Sequence, residues 1–165
     1  MAVAISLLAT VVTFVFTGSV LAQFVRRRRI YRLVWSVALL CYGLATAVQT
    51  AAAAQGWSTG GFRAWYLAGG LLTAAFLGQG TAHLLLPRRL ASALLVALVA
   101  AALWGTYRLA TVPLALHDLL PPAGKLTPRA TNLPADVRAL AAILNIYGTL
   151  LLVGGALWSA IVFFD

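Results

Sequence analysis

The side chains within the apolar runs of this sequence that have the polarity to do chemistry are Gln23, Gln49, Gln79, His83 and Asn145. A histidine at membrane depth ligates haem or metal when a second ligand faces it. The only other histidine is His117, and the threading given below puts it on the opposite side of the bilayer. That excludes a bis-histidine haem within one chain. No Cys/His/Asp/Glu set stands at metal-ligand spacing. Apart from Asp136, in the first turn that the last span raises above the membrane, no Asp or Glu lies inside any apolar run, which removes the usual carboxylate proton relay or cation-coupling site. A Ser/His/Asp set, paired carboxylates and a phosphate loop are all lacking. The expectation is a protein that is not an enzyme and holds no cofactor and no metal. Hydrogen bonding between helices is the remaining task for these groups: Gln49 with Asn145 across two spans, and His83 with Gln23 near the other interface. Such bonds average only about 0.6 kcal/mol, so they serve as glue.

The solvent that makes these groups unusual is set by composition. Of 165 residues, 62% are hydrophobic and 9% charged, with mean hydropathy +0.95. A soluble domain carries about 25% charged residues. This chain therefore has too little polar surface for water, and its backbone must satisfy itself inside a bilayer. Long Ala- and Leu-rich runs make that an all-α integral membrane protein; a barrel would alternate apolar and polar over segments of about 10 residues.

Five apolar segments, about 3–25, 31–54, 63–86, 90–110 and 133–163, have the length to cross the hydrocarbon layer. They predict a single five-transmembrane-helix domain covering 1–165, with a Pro-rich outer loop at 111–132. Within that loop, LALHDLL suits a short helical turn on the bilayer surface. Asn132 suits an N-cap of the last span, with Pro134 and Asp136 in its first turn. The net charge of +9 invites a nucleic-acid reading. The positions of the charges oppose it. Arg26, Arg27, Arg28, Arg29 and Arg32 separate the first two runs, and Arg88 and Arg89 the next two. Basic residues in short loops mark the cytoplasmic side, so the N-terminus is placed outside and the C-terminus in the cytoplasm. These seven arginines also suit anionic lipid headgroups. The first run reads as a span and not a signal peptide, because MAVAIS has no basic residue and the basic cluster follows the run. Cys41, the single cysteine, reads as a small buried hydrophobe.

Within the third segment, Gly70, Ala74, Gly78 and Ala82 recur every four residues. Small residues at this spacing let helix backbones approach closely where lipid removes the hydrophobic drive. Gly148, Gly155 and Ser159 form a shorter set on the last span, and the two faces suit one another.

The segment RAWYLAGGLLTAAFLGQGTAHLLLPRR, preceded by QGWSTGGF, resembles a stretch of uncharacterised bacterial multipass membrane proteins, over residues 55–89. The resemblance implies no known activity and transfers no catalytic residue. Members of that group are usually predicted to have more spans, which leaves room for further spans beyond Asp165.

The favoured reading is a non-catalytic multipass subunit of the bacterial inner membrane. It packs laterally in a homo- or hetero-oligomeric assembly, with room for lipid, quinone or pigment between helices. Its partners are the anionic bilayer and other membrane subunits or copies of itself, and no nucleic acid. The competing reading is a small oligomeric transporter or channel whose polar path is lined by Gln49, Gln79, Asn145 and His83. The two differ in geometry: a path brings these side chains to one wet cavity, whereas a scaffold pairs them locally.

Overall fold

A computed structural model describes residues 2–114 and 133–164. His117, Asn132 and the part of LALHDLL beyond Leu114 lie outside the described residues, so the expected surface turn and N-cap do too. All elements are helical, and no strand occurs among the described residues. In chain order they are α1 (Ala2–Arg27), α2 (Ile30–Gln55), α3 (Thr59–Trp65), a π-helical stretch (Tyr66–Leu72), α4 (Thr73–Leu85), α5 (Arg88–Thr111) and α6 (Ala135–Phe164). Of these, α1, α2, α5 and α6 are each long and apolar enough to cross a membrane.

Local sequence explains the boundaries. Between α1 and α2 only Arg28 and Arg29 intervene, and the turn is tight enough to hold Arg28 at φ 48°, a region that side chains with a Cβ rarely occupy. At the end of α2, Gly56 adopts φ 89° and its N–H returns to the Ala52 carbonyl at 2.8 Å, a conformation glycine takes without a Cβ clash. Ser58 starts α3 by accepting a hydrogen bond from the Gly61 N–H at 3.0 Å. Leu86, at the end of α4, is extended, as a residue before proline prefers, and Pro87 opens α5.

The third apolar segment departs from the expected single span at 63–86. It is a continuous helical run from Thr59 to Leu85, but the backbone widens to π geometry through YLAGGLL before resuming α geometry. Side chains take up backbone acceptors around this change of bonding. Thr73 Oγ1 donates to the Ala68 carbonyl at 2.8 Å, and Asn145 Nδ2 of α6 donates to that of Gly70 at 2.7 Å. A Cβ on Gly70 would come within 3.3 Å of the Tyr66 ring, a tight contact.

This run is the axis of the bundle, touching α2 on one side and α5 and α6 on the other, while α1 packs on α2. Threonines line the α1 seam: Thr10, Thr13 and Thr17 are buried and return their hydroxyls to the preceding turn of α1. The core lies among α3, the π stretch, α5 and α6, around Phe62, Leu71, Leu109 and Val137. There the Phe62 and Tyr66 rings stack with centroids 5.9 Å apart.

Candidate functional site

A polar node in the bundle interior is centred on Gln79, which is fully buried on α4. Its Nε2 donates to the Ala91 carbonyl of α5 at 2.8 Å, and its Oε1 accepts from the Tyr147 hydroxyl of α6. A carbonyl can only accept, so Ala91 fixes which end of the amide is nitrogen. One side chain thus ties together α4, α5 and α6. The His83 ring, half-buried one turn later, completes the node. Its Nδ1 lies 3.1 Å from Gln79 Nε2 and 3.0 Å from the Gln79 carbonyl. The neutral tautomer protonated at Nε2 accepts from the amide, and the other donates to the carbonyl. In both, His83 answers to Gln79 on its own helix and not to Gln23. At Gln23 the backbone carbonyl accepts from Arg32 at 3.1 Å.

Asn145 also differs from expectation. Its Nδ2 is shared between the Gly70 carbonyl and the Ala141 carbonyl, both at 2.7 Å, rather than going to Gln49, which lies half-buried on α2. Tyr147 and Trp35 are the members that sequence reasoning missed. Trp35 reads in sequence as an interfacial aromatic. In the fold its indole lies over Gly80, where a Cβ would collide with the ring, and its Nε1 donates to the Leu77 carbonyl at 3.1 Å. The available signal was the pair Gly78 and Gly80, two residues apart on a helix and therefore facing different neighbours.

The other neighbour is α6. A Cβ on Gly78 would stand 2.6 Å from the Gly148 Cα, and a Cβ on Gly148 would strike the Ala74 carbonyl. The helices here cross backbone on backbone. Further along, a Cβ on Gly155 would be 2.5 Å from Thr81 Cγ2. Ala82 is fully buried, Ala74 and Gly70 are half-buried, and Ser159 is exposed. Ser159 therefore takes no part in the seam within one chain. Cys41 is half-buried on α2.

Beside the Gln79 node, α5 and α6 diverge over an apolar groove of about 210 Å³ lined by Leu94, Leu98, Ala101, Ile143, Leu144 and Tyr147 among others. Nothing in it can donate or accept strongly except the Tyr147 hydroxyl, already committed to Gln79. At the α3 end of the bundle, Arg63 donates to the Val112 carbonyl at 2.9 Å and Arg108 pairs with Asp136 at 2.6 Å, tying α3 to α5 and α5 to α6. At the opposite end lie Arg26, Arg27, Arg28, Arg29, Arg32, Arg88 and Arg89. The two links share that end because Trp35, early in α2, meets Leu77 and Gly80, late in α4. Among the described residues, no group of three or more His, Cys, Asp or Glu side chains is placed to hold a metal. The chain matches no protein-family model, no curated protein and no solved structure. The class its architecture defines is a helical bundle with four helices of membrane-crossing length and hydropathy.

Proposed function

We propose that the chain is a non-catalytic multipass subunit of a bacterial inner membrane that packs laterally in a homo- or hetero-oligomeric assembly. In this reading it crosses five times, with the α3–π–α4 run as the third crossing, the N-terminus outside and the C-terminus in the cytoplasm. The observation that carries the reading is the closure of the Gln79 node. Gln79, His83 and Tyr147 satisfy one another, Asn145 is bound to backbone, and the adjacent groove is apolar. A transport path would need these groups to share a wet cavity, and the local pairing of Gln79, His83 and Asn145 favours the subunit reading over it. Lateral association has support of its own. Gly18 of α1 and Gly154 of α6 face open space, and a helical glycine costs about 1 kcal/mol relative to alanine. A closely packed partner helix offsets that cost where lipid does not. The α5–α6 groove suits an apolar tail, of lipid or quinone, lying against Tyr147.

Native mass and an absorption spectrum of the protein in nanodiscs test this reading together. The expected result is an oligomer with no chromophore band dependent on His83. A monomer overturns the assembly. A haem or pigment band present in the wild type and lost in His83→Gln, which keeps a donor and an acceptor but cannot ligate haem, makes His83 a ligand.

The orientation has its own check, resting on seven arginines and no acid in and beside the two short links. In a Cys41→Ala background, single cysteines at Ser58 and Asp165 should label from opposite sides, Ser58 from outside. Labelling of both from outside excludes the proposed threading.

A further inference from the structure

Two cavities meet where α1 passes into α2. One, of about 370 Å³, is lined by Gln23, Arg26, Arg27 and Arg32. The other, of about 380 Å³, is lined by Phe16, Val20, Leu39, Leu77, Tyr31 and Trp35 and shares Gln23 and Arg32 with the first. The shared residues make them neighbours, one basic at the end of the bundle and the other mainly apolar and further inward. From Gln23 to Phe16 is about 10 Å along α1 at 1.5 Å per residue. Neither half alone names an occupant. Together they match a molecule with an anionic head joined to a hydrocarbon chain.

Arg32 is held ready for such a head. One terminal nitrogen donates to the Gln23 carbonyl at 3.1 Å, and Nε lies 3.2 Å from the Tyr31 hydroxyl. The guanidinium carbon stands 5.5 Å from the Tyr31 ring centre. Neither bond engages the second terminal nitrogen, and a guanidinium fixed in this way can present a planar fork to phosphate oxygens. Arg26 and Arg27 stand across the same cavity. Among the described residues, no carboxylate lines the cleft to quench this charge. The only described carboxylate, Asp136, is bound to Arg108 at the far end.

We propose that this cleft is a specific site for one anionic phospholipid. Arg26, Arg27 and Arg32 hold the phosphate, the Gln23 amide faces the glycerol, and an acyl chain lies between α1, α2 and α4 against Val20, Leu39 and Leu77. The site is separate from the α5–α6 groove. It rests on the chain lying in a bilayer, not on its role as a subunit, so a monomeric protein would fail the subunit reading and leave this site standing.

The test measures binding to the full-length protein in mild detergent, by native mass and thermal shift. The ligands are short-chain phosphatidylglycerol, phosphatidylcholine with the same chains, glycerol phosphate and inorganic phosphate. Saturable binding of one phosphatidylglycerol per chain is expected, with weaker binding of phosphatidylcholine and no competition from the chainless phosphates. The double variant Arg26→Gln/Arg32→Gln should weaken binding about tenfold or more, the effect of losing charge-assisted hydrogen bonds. Arg88→Gln/Arg89→Gln, which removes equal charge at the same end, should change it less than about twofold. Val20→Trp should also abolish binding by filling the groove with every arginine left in place, and it decides the matter if the arginine variant fails to fold. Equal losses in both arginine pairs would reduce the site to diffuse surface attraction. Equal affinity for phosphatidylcholine, full competition by phosphate alone, or unchanged binding in Val20→Trp would each overturn it.

Discussion

Gly148→Leu should break the α4–α6 crossing, at a cost of about 3 kcal/mol or more, the upper range for forcing volume into a packed contact. The expectation rests on what the new side chain would meet. A Cβ at this position strikes the Ala74 carbonyl and comes within 2.8 Å of the Ala75 nitrogen, which are backbone atoms that cannot rotate aside. The helices must separate, and with them go the Asn145 bond to Gly70 and the Tyr147 bond to Gln79. Gly78→Leu, entering the same crossing from the other helix, should cost a similar amount. Gly154→Leu is the control, since nothing lies within 4 Å of its Cβ position. It should leave the stability of one chain unimpaired while dispersing an assembly packed on that face. Denaturant titration in mixed micelles reads the stability, and native mass reads the assembly. Wild-type stability in Gly148→Leu would remove the crossing from the account.

The second large effect is at Gln79. Gln79→Leu keeps the volume but strands the Tyr147 hydroxyl, and leaves the Ala91 carbonyl without its side-chain donor. Leaving a buried polar group unmatched costs about 1–3 kcal/mol. Polar bonds between membrane helices average less, about 0.6 kcal/mol, because the unfolded helix in lipid finds other partners. Full burial of Gln79, and its ties to two other helices, argue for the higher figure. Tyr147→Phe alone should cost about 1 kcal/mol. In the double variant the hydroxyl is gone and cannot be stranded, so the two losses should fall short of additive by about 1 kcal/mol. Strict additivity in the same titration would show that the two side chains do not depend on one another.

The sequence makes the helical architecture legible because lipid allows so few solutions to backbone hydrogen bonding. Apolar run length and the RRRR and PRR clusters mark the helices and their links without any knowledge of packing. Gly78 and Gly148 are legible as small residues suited to close approach. That they oppose one another is a tertiary fact which spacing on each helix does not contain. The partners of the polar side chains are less legible for a related reason. Depth counting pairs Gln49 with Asn145 and Gln23 with His83, since it considers side chains only. In the fold the winning acceptors for Asn145 are backbone carbonyls. One of them, Gly70, lies in a π stretch that hydrophobic periodicity does not reveal. Tyr147 escapes notice because a tyrosine in an apolar run reads as an aromatic filler until its hydroxyl is seen to reach Gln79.

The π stretch also resolves a problem of angular phase. A pattern repeated every four residues does not run straight along an α-helix of 3.6 residues per turn; it precesses by about 40° at each repeat. Phe62, Tyr66, Gly70, Ala74, Gly78 and Ala82 make five such steps, so in an unbroken α-helix the last member would sit about 200° around from the first. The broader turns of Tyr66–Leu72 act as a vernier and take back about 100°, the rotation of one inserted residue. A single helix, α6, meets this run from the π stretch, through Asn145 on Gly70, to its far end, through Gly155 on Thr81. Removing one residue from YLAGGLL would leave both helices as apolar as before but turn Gly78 away from Gly148 by about a quarter of a revolution.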